Sequence, residues 1–373
     1  MSYLGENIPK LGFGLMRLPM QGDEVDIELA KKMTDEFIKA GFTYFDTAYG
    51  YLGGKSELAV NELLAKRYPR ESYQLATKLP AWAGCKSAQQ ARDMFYTSLE
   101  RTQAGYFDFY LLHNLGEDRT QVFEDYELWD FGLELKEKGL IKHLGFSFHD
   151  TADRLEEVLA KHSEAVEFVQ LQINYADWTD AQIQSEACLR VAEKYKKPVI
   201  IMEPVKGGLL ANPPKKAADL LKAYNPEASY ASWALRFAAS QKNIITVLSG
   251  MSDMAQMLDN LATMKDFKPI SPAESELIDR VRQSLADVER IPCTACGYCI
   301  KGCPSSVAIP GIFKVANKYL AYDNLPDAKG SYSWETRNGG RASACIACGA
   351  CESVCPQHIQ IIKELSKAKE LFE

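Results

Sequence analysis

Long apolar runs, basic clusters and an export signal are all missing from this chain of 373 residues. Its longest apolar stretches, such as Val199–Met202, have the length of a strand, and a membrane helix needs about 20 apolar residues, so no membrane span is expected. The N-terminal residues lack the charged and apolar regions of a signal peptide, which predicts a cytoplasmic protein. Lys and Arg number 43 against 50 Asp and Glu, and this net charge of −7 argues against a nucleic-acid partner.

Cysteine is scarce before residue 290, where only Cys85 and Cys188 occur. The other eight cysteines form two runs with the pattern C-x-x-C-x-x-C-x-x-x-C-P, namely Cys293, Cys296, Cys299 and Cys303, then Cys345, Cys348, Cys351 and Cys355. A disulfide framework would be typical of a secreted chain. Zinc sites usually take two ligand pairs that lie apart in the sequence. The spacing favours iron–sulfur ligation over either alternative.

The repeated spacing resembles that of the bacterial two-cluster ferredoxins, in which the fourth Cys of each run binds the other cluster. The resemblance implies two [4Fe–4S] clusters, one held by Cys293, Cys296, Cys299 and Cys355 and the other by Cys345, Cys348, Cys351 and Cys303. Residues 291–373 are therefore expected to form a small ferredoxin-like domain. An insert at about 305–344 separates the two runs and contains several aromatic residues, which could line a substrate pocket.

Residues 1–290 show a different pattern, in which short β-rich segments alternate with amphipathic helical stretches. Such alternation is typical of βα units around a parallel sheet. The strand candidates are Lys10–Gly14, Thr43–Asp46, Tyr73–Lys78, Phe109–His113, His143–Ser147, Val169–Asn174, Pro198–Met202 and Ile244–Ser249. Eight such units favour a (β/α)8 TIM barrel, in an α/β protein, over an open sheet.

Polar side chains end four of these strand candidates: Asp46, Lys78, His113 and Ser147. In a TIM barrel the carboxyl ends of the strands form the active site. A single Asp or His at a strand end is most often a turn or hydrogen-bonding residue. Four of them at equivalent positions predict a catalytic site at this edge of the barrel.

Four segments of the chain resemble the signatures of the aldo/keto reductases: Leu11–Gly14, Phe45–Tyr51, Ala76–Lys78 and Tyr110–His113. Their order and spacing match over about residues 8–265. The resemblance implies an enzyme that interconverts a carbonyl and an alcohol by hydride transfer. A barrel followed by a ferredoxin-like module is similar to one bacterial and archaeal branch of that family.

The catalytic tetrad that the resemblance implies is Asp46, Tyr51, Lys78 and His113. A phenol with a pKa of about 10 is a weak acid at neutral pH unless its phenolate is stabilised. We expect Lys78 to stabilise it, Asp46 to anchor Lys78, and His113 to orient the carbonyl oxygen. Tyr51 would then be the general acid in reduction and the base in oxidation.

The resemblance also implies a nicotinamide cofactor across the barrel mouth, with its phosphates near the loops after strands seven and eight. Residues expected to bind it are Gly14, Met16, Ser147, Gln170, Met202, Lys206, Gly207, Gly208, Ser249, Gly250, Met251, Gln256 and Asn260. The family has basic residues for the 2′-phosphate where this chain has Gly250, Met251 and Gln256, so NAD fits as well as NADP.

The two kinds of redox group differ in the number of electrons that they transfer. A nicotinamide transfers two electrons as hydride, and each cubane transfers one, so coupling them normally requires a centre such as a flavin. No G-x-G-x-x-G motif is present, but a TIM barrel can bind the phosphate of FMN near strands seven and eight. The alternatives are therefore a flavin-dependent reductase linked to a ferredoxin or another electron carrier, and a redox-sensing nucleotide-binding protein. Trp82 and Tyr51 are expected beside a small carbonyl or alcohol substrate.

Overall fold

The computed structural model describes residues 4–116, 119–181, 183–287, 290–293, 295, 297–355 and 357–373. The chain divides into two compact units. One runs to Ala211 and includes Ala228–Ser275, and the other consists of Asn212–Glu227 and Glu276–Glu373. Each unit has its own apolar core.

The first unit is built around a closed barrel of eight parallel strands, counted over the described residues. Each strand pairs with the next along the chain, and the last pairs with the first. The strands are β1 (Leu11–Gly14), β2 (Tyr44–Asp46), β3 (Gln74–Leu79), β4 (Phe107–Leu115), β5 (Ile141–Phe148), β6 (Phe168–Gln172), β7 (Val199–Met202) and β8 (Ile244–Ser249). Each overlaps one of the predicted strands, so the TIM-barrel prediction is confirmed.

The strands are apolar on both faces because they are covered on both faces. Inside the barrel, Tyr44, Phe109 and Phe168 pack against one another, with ring centroids 5.1 Å apart in each adjoining pair. Outside, the other face of the strands packs against the surrounding helices in a larger apolar layer that includes Phe13, Phe37 and Phe45. The barrel is therefore a filled core whose polar chemistry is confined to its ends.

Helices follow the strands at positions that the sequence marks with capping residues. The first helix spans Ile27–Lys39, and the Asp26 carboxylate accepts a hydrogen bond from Leu29 N at 2.9 Å, which caps the start of the helix. The other α-helices of this part of the chain are Lys55–Val60, Ala88–Thr102, Gln121–Asp125, Leu128–Glu137, Ala152–His162, Ser185–Lys194, Lys215–Tyr224, Tyr230–Ala239, Met254–Lys265 and Pro272–Ala286. Asn61–Ala65 continues the helix Lys55–Val60 as a π-helical turn.

Gly145 of β5 pairs with Phe168 of β6 and leaves no room for a side chain. A Cβ atom at this position would lie 2.6 Å from both the carbonyl oxygen and a ring carbon of Phe168. Gly145→Ala is therefore expected to destabilise the barrel by about 1–3 kcal/mol, as overpacking does. Urea unfolding measures this, with Gly50→Ala as the control, because Gly50 has open space at its Cβ position and a negative φ. Equal stability of the two variants would contradict the packing argument.

The second unit is helical around the cysteine runs. Its short helices Tyr298–Lys301 and Ala350–Ser353 lie within the runs, and the insert forms the helices Ile309–Tyr322 and Leu325–Glu335. The insert's Tyr319 and Tyr332 pack against Phe372 of the last helix, Ile361–Phe372, in the core of this unit. Over the whole described chain, no helix combines the length and the apolar composition that crossing a membrane requires.

Candidate active site and metal centres

Three of the four residues predicted to be catalytic lie on adjacent strands at the carboxyl end of the barrel. Asp46 ends β2, Lys78 is the second-last residue of β3, and His113 is the third residue from the end of β4. Tyr51 begins a 3₁₀ turn, Tyr51–Gly54, in the loop after β2. Because β2, β3 and β4 pair in sequence, the barrel brings all four side chains together.

The Lys78 ammonium is the centre of this group. It donates hydrogen bonds to the Asp46 carboxylate at 2.5 Å, to the Thr47 carbonyl at 2.8 Å and to the Tyr51 hydroxyl at 3.3 Å. The Lys78 side chain is fully buried. Burial lowers the pKa of Lys78, but the adjoining Asp46 and Tyr51 raise it by more, so its pKa lies above the ordinary value. The ammonium therefore stays charged at neutral pH.

The surroundings of the Tyr51 phenol shift its pKa in opposite directions. Burial raises its pKa, the nearby Lys78 lowers it, and the negative charges of Asp46 and Glu203 raise it. The net pKa lies above the ordinary value, so the acidification expected from Lys78 is outweighed by burial. Tyr51 is consequently a protonated phenol at neutral pH, hydrogen-bonded to a permanent cation.

His113 completes the polar end of the barrel. Its ring lies edge-on to Tyr51, with centroids 5.8 Å apart, and the Trp82 indole donates a hydrogen bond to the His113 carbonyl at 2.7 Å. Burial, the positive charge of Lys78 and the neighbouring His149 hold the pKa of His113 well below its usual range. Its Nδ1 atom is buried and has no hydrogen-bond partner among the described residues. A neutral imidazole with an unpaired nitrogen can bind a further polar group.

Two of the predicted cofactor residues lie on the next two strands, Ser147 on β5 and Gln170 on β6. Gln170 donates a hydrogen bond from its amide to Asp46 Oδ2 at 3.1 Å. Ser147 accepts one from Asn114 N at 2.7 Å, and no described residue accepts the Ser147 hydroxyl proton. Asn114 has a positive φ of 61° and a buried side-chain oxygen that no described residue pairs. Sequence reasoning missed Asn114, although it directly follows His113.

The loop after β7 contains Lys206, Gly207 and Gly208. The Lys206 ammonium forms an ion pair with the buried carboxylate of Asp177, which also accepts hydrogen bonds from Gln172 and Asn174. Lys206 is therefore neutralised by a neighbour that sequence reasoning did not identify. Gly207 and Gly208 have φ values of 65° and 96°, which favour glycine.

The end of β8, the loop after it and the helix that follows contain five of the predicted cofactor residues, namely Ser249, Gly250, Met251, Gln256 and Asn260. Ser249 accepts a hydrogen bond from Asn260 at 2.9 Å, and Gln256 pairs with Asp253 at the start of the helix Met254–Lys265. The other members of the predicted set are Met251, which is buried, Gly14 and Met202 at the ends of β1 and β7, Gly250 beside the Arg17 side chain, and Met16, which is exposed. Arg17 is a cation that sequence reasoning did not assign to this loop.

In the second unit, the cysteines line two cavities. Cys303 of the first run lies with Cys345, Cys348 and Cys351 of the second run around one cavity. Cys293 and Cys299 lie with Cys355 around another cavity. Cys296, also predicted as a ligand, lies outside the described residues. The fourth cysteine of each run thus lies among those of the other run.

The loops around these cavities share further features. Gly297 and Gly349, each next to the second Cys of its run, have φ values of 76° and 79°. Both cavities are otherwise lined mainly by apolar side chains, and Ile309 lines both. Over the described residues, no three Cys, His, Asp or Glu side chains converge closely enough to hold a single metal ion.

Two segments of the chain match known protein families. Residues 10–283 match the aldo/keto reductase family, and residues 292–360 match the 4Fe-4S dicluster domain. Together the two matches cover both the barrel strands and the two cysteine runs. They agree with the resemblances drawn from the sequence motifs.

Individual related proteins align with most of the chain. The chain is 25% identical over 284 residues to the uncharacterized oxidoreductase YqkF of Bacillus subtilis (strain 168), spanning 68% of this chain and 87% of that protein. It is 23% identical to the NADH-specific methylglyoxal reductase of Escherichia coli (strain K12), spanning 74% and 96%. The structure of an aldo-keto reductase from Klebsiella pneumoniae in complex with NADPH superposes with a TM-score of 0.59 at 20% identity, covering 75% of this chain and 93% of that one.

Proposed function

Because the chain belongs to the aldo/keto reductase family of oxidoreductases and carries a 4Fe-4S dicluster domain, we propose that it interconverts a carbonyl and an alcohol with a nicotinamide cofactor, using Tyr51 to transfer the proton. The observation that carries the proposal is the buried hydrogen-bonded group of Asp46, Lys78 and Tyr51 beside His113 at the end of the barrel. A purely structural ion pair would not need a partly accessible phenol as its third member.

The proton transfer follows from this geometry. A bound nicotinamide supplies the hydride that the carbonyl carbon accepts. The protonated Tyr51 gives its hydroxyl proton to the carbonyl oxygen, and the Lys78 ammonium stabilises the phenolate that remains. Asp46, itself bonded to Gln170, fixes the position of Lys78. His113 binds the carbonyl oxygen through its ring. In alcohol oxidation the phenolate takes the proton back.

The residues at the barrel mouth fit a nicotinamide cofactor. Ser147 has a hydroxyl proton to donate, and Asn114 has a buried oxygen to accept, so both could bind a carboxamide. Gly207 and Gly208 let the backbone approach phosphates closely. Five further predicted residues lie at the end of β8, in the loop after it and in the helix that follows, namely Ser249, Gly250, Met251, Gln256 and Asn260, the last of these expected at the adenine. The barrel thus offers a polar group for each end of a dinucleotide.

The donor sets of the second unit fit two [4Fe–4S] clusters with exchanged fourth ligands. We propose that Cys345, Cys348, Cys351 and Cys303 hold one cluster, and that Cys293, Cys296, Cys299 and Cys355 hold the other. The two cavities and their cysteines support this assignment. The clusters would serve electron transfer or hold the fold of the domain from about residue 291, and a ferredoxin is a candidate electron partner.

One experiment distinguishes the cofactor alternatives. Protein purified without oxygen is titrated with NADH and NADPH, and acid-precipitated protein is assayed for released flavin. Quenching of tryptophan fluorescence by either nucleotide, without a yellow supernatant, supports the nicotinamide enzyme. Released FMN together with absent nucleotide binding would replace it with the flavin-dependent reductase. Nucleotide binding with no turnover of a panel of small aldehydes and ketones would favour the redox-sensing alternative.

The pH profile is a further prediction. Since the pKa of Tyr51 is raised above its ordinary value of about 10, the proton that reduction needs is present throughout the neutral range. The rate of reduction should therefore stay level between about pH 7 and pH 9, whereas oxidation, which needs the phenolate, should rise with pH. His113 adds no acidic limb in this range because its pKa lies far below 6.5. A fall in reduction with a midpoint near pH 8 would contradict the assignment.

A further inference from the structure

The turn that carries Tyr51 has three successive residues in a left-handed conformation. Leu52, Gly53 and Gly54 have φ values of 53°, 66° and 92°. This conformation is uncommon for a leucine and persists only where the surrounding structure holds it. The position of the Tyr51 hydroxyl, 3.3 Å from the Lys78 ammonium, therefore depends on the residues that fix this turn from outside.

Arg101, from the helix Ala88–Thr102, contacts the loop on both sides of Tyr51. Its Nη1 atom donates a hydrogen bond to the Tyr49 carbonyl at 2.9 Å. A Cβ atom built on Gly54 would lie 3.0 Å from Arg101 Cζ and Nη1, so the guanidinium packs directly against the last residue of the turn. The two contacts flank Tyr51 in the sequence, and one guanidinium makes both of them.

Glu57 holds the Arg101 guanidinium in this place. Its fully buried carboxylate accepts a hydrogen bond from Arg101 Nη1 at 3.1 Å through Oε2 and one from Thr77 Oγ1 at 2.7 Å through Oε1. Thr77 directly precedes Lys78 on β3. The carboxylate thus links the strand that carries the lysine to the arginine that holds the loop of the tyrosine.

We propose that Arg101 and Glu57 position Tyr51 for proton transfer. The inference rests on the proposed function, because it concerns the hydroxyl that the proposed function uses as the acid. Both residues act on the reaction only through the distance between the Tyr51 oxygen and the reacting carbonyl, and a misplacement of about 1 Å can cost about 100-fold in rate. Their bonds lead to Tyr49 and Thr77, which are not among the residues expected to bind the nicotinamide, so cofactor affinity should not depend on them.

The test compares Arg101→Met with Arg92→Met, a matched control on the same helix. The Arg92 side chain is 27% exposed and that of Arg101 24%, and each pairs with a carboxylate and lies over an aromatic ring, but the partner of Arg92 is Glu134. In the full chain, Arg101→Met should lower kcat for reduction of small aldehydes by about 10- to 100-fold while the Kd of NADH and NADPH is unchanged. Arg92→Met should keep kcat within about threefold. Equal losses of kcat in the two variants would overturn the proposal.

A double variant removes the buried charge together with its partner. Arg101→Met alone leaves the Glu57 carboxylate buried and unpaired, which is costly to the fold. Arg101→Met combined with Glu57→Gln removes both charges, and the amide oxygen can still accept the hydrogen bond from Thr77. The double variant should show the same loss of kcat. A kcat within about threefold of that of the unmodified protein would overturn the proposal.

The Tyr51→Phe background separates positioning from a general loss of stability. Arg101→Met should lower kcat by no more than about twofold further in this background, because the hydroxyl that Arg101 positions is gone and the two losses are coupled. Losses that multiply would show that Arg101 acts in another way, and they would overturn this inference while the proposed function stands. Full turnover by Tyr51→Phe itself would overturn both.

Discussion

Tyr51→Phe is expected to lower kcat for carbonyl reduction by about 10²–10⁴, the contribution of a positioned general acid. The substitution removes one oxygen, which accepts a single 3.3 Å hydrogen bond from Lys78, and it leaves the ring that faces His113. Lys78 keeps its bonds to Asp46 and Thr47. The fold and the Kd of the cofactor should therefore be preserved, so the loss falls on the chemical step.

Tyr49 provides a matched control two residues earlier in the same loop. Its ring lies under the Arg101 guanidinium, which is 4.3 Å from the ring centroid. Tyr49 bonds to Lys78 only through the backbone, since its N–H donates to the Lys78 carbonyl at 3.3 Å, so removing the Tyr49 hydroxyl leaves the bonds of the Lys78 ammonium unchanged. Tyr49→Phe should keep kcat within about threefold, since a surface substitution of this kind changes little. The two variants are assayed anaerobically with a panel of small aldehydes and ketones. Full turnover by Tyr51→Phe would remove Tyr51 from the reaction.

The second large effect concerns the clusters. Cys303→Ala is expected to lower the iron content from roughly eight to roughly four atoms per chain, because one of two four-iron clusters loses a ligand. The cavity that Cys303 shares with Cys345, Cys348 and Cys351 identifies which cluster is lost. The melting temperature should fall as well, since Cys303 packs against the core of this unit, Cys351 is buried in that core, and metal binding stabilises folding.

Double variants test the exchange of the fourth ligand directly. Cys303→Ala combined with Cys348→Ala should lose no more iron than either single variant, because both residues would hold one cluster. Cys303→Ala combined with Cys299→Ala should lose both clusters and nearly all of the iron. The opposite pattern would show that each run binds its own cluster.

Cys85 and Cys188 are the controls for these measurements. Burial raises the pKa of both thiols, that of Cys188 to about 12, and neither lines a cluster cavity. Their alanine variants should keep the full iron content. Iron analysis and electron paramagnetic resonance of the reduced protein give the readouts.

Much of the architecture was predictable because it depends on local periodicity. Eight apolar segments separated by amphipathic stretches have few arrangements other than a parallel barrel. Asp46, Lys78 and His113 could be recognised because a barrel aligns the carboxyl ends of its strands, so a strand-end position is also a position at the mouth. The cysteine runs could be recognised from the spacing of their cysteines alone, without knowledge of the fold.

The protonation of each titratable group and the partner of each charged group were decided only by the tertiary structure. The Tyr51 hydroxyl is a weaker acid than its lysine neighbour suggests, because burial depends on how the whole barrel mouth packs. Lys206 is neutralised by Asp177, which lies 29 residues earlier, and Arg17 reaches a loop more than two hundred residues away. Spacing along the chain determines which residues share a strand or a turn. It does not determine which distant charges meet, because those meetings follow from closure of the barrel.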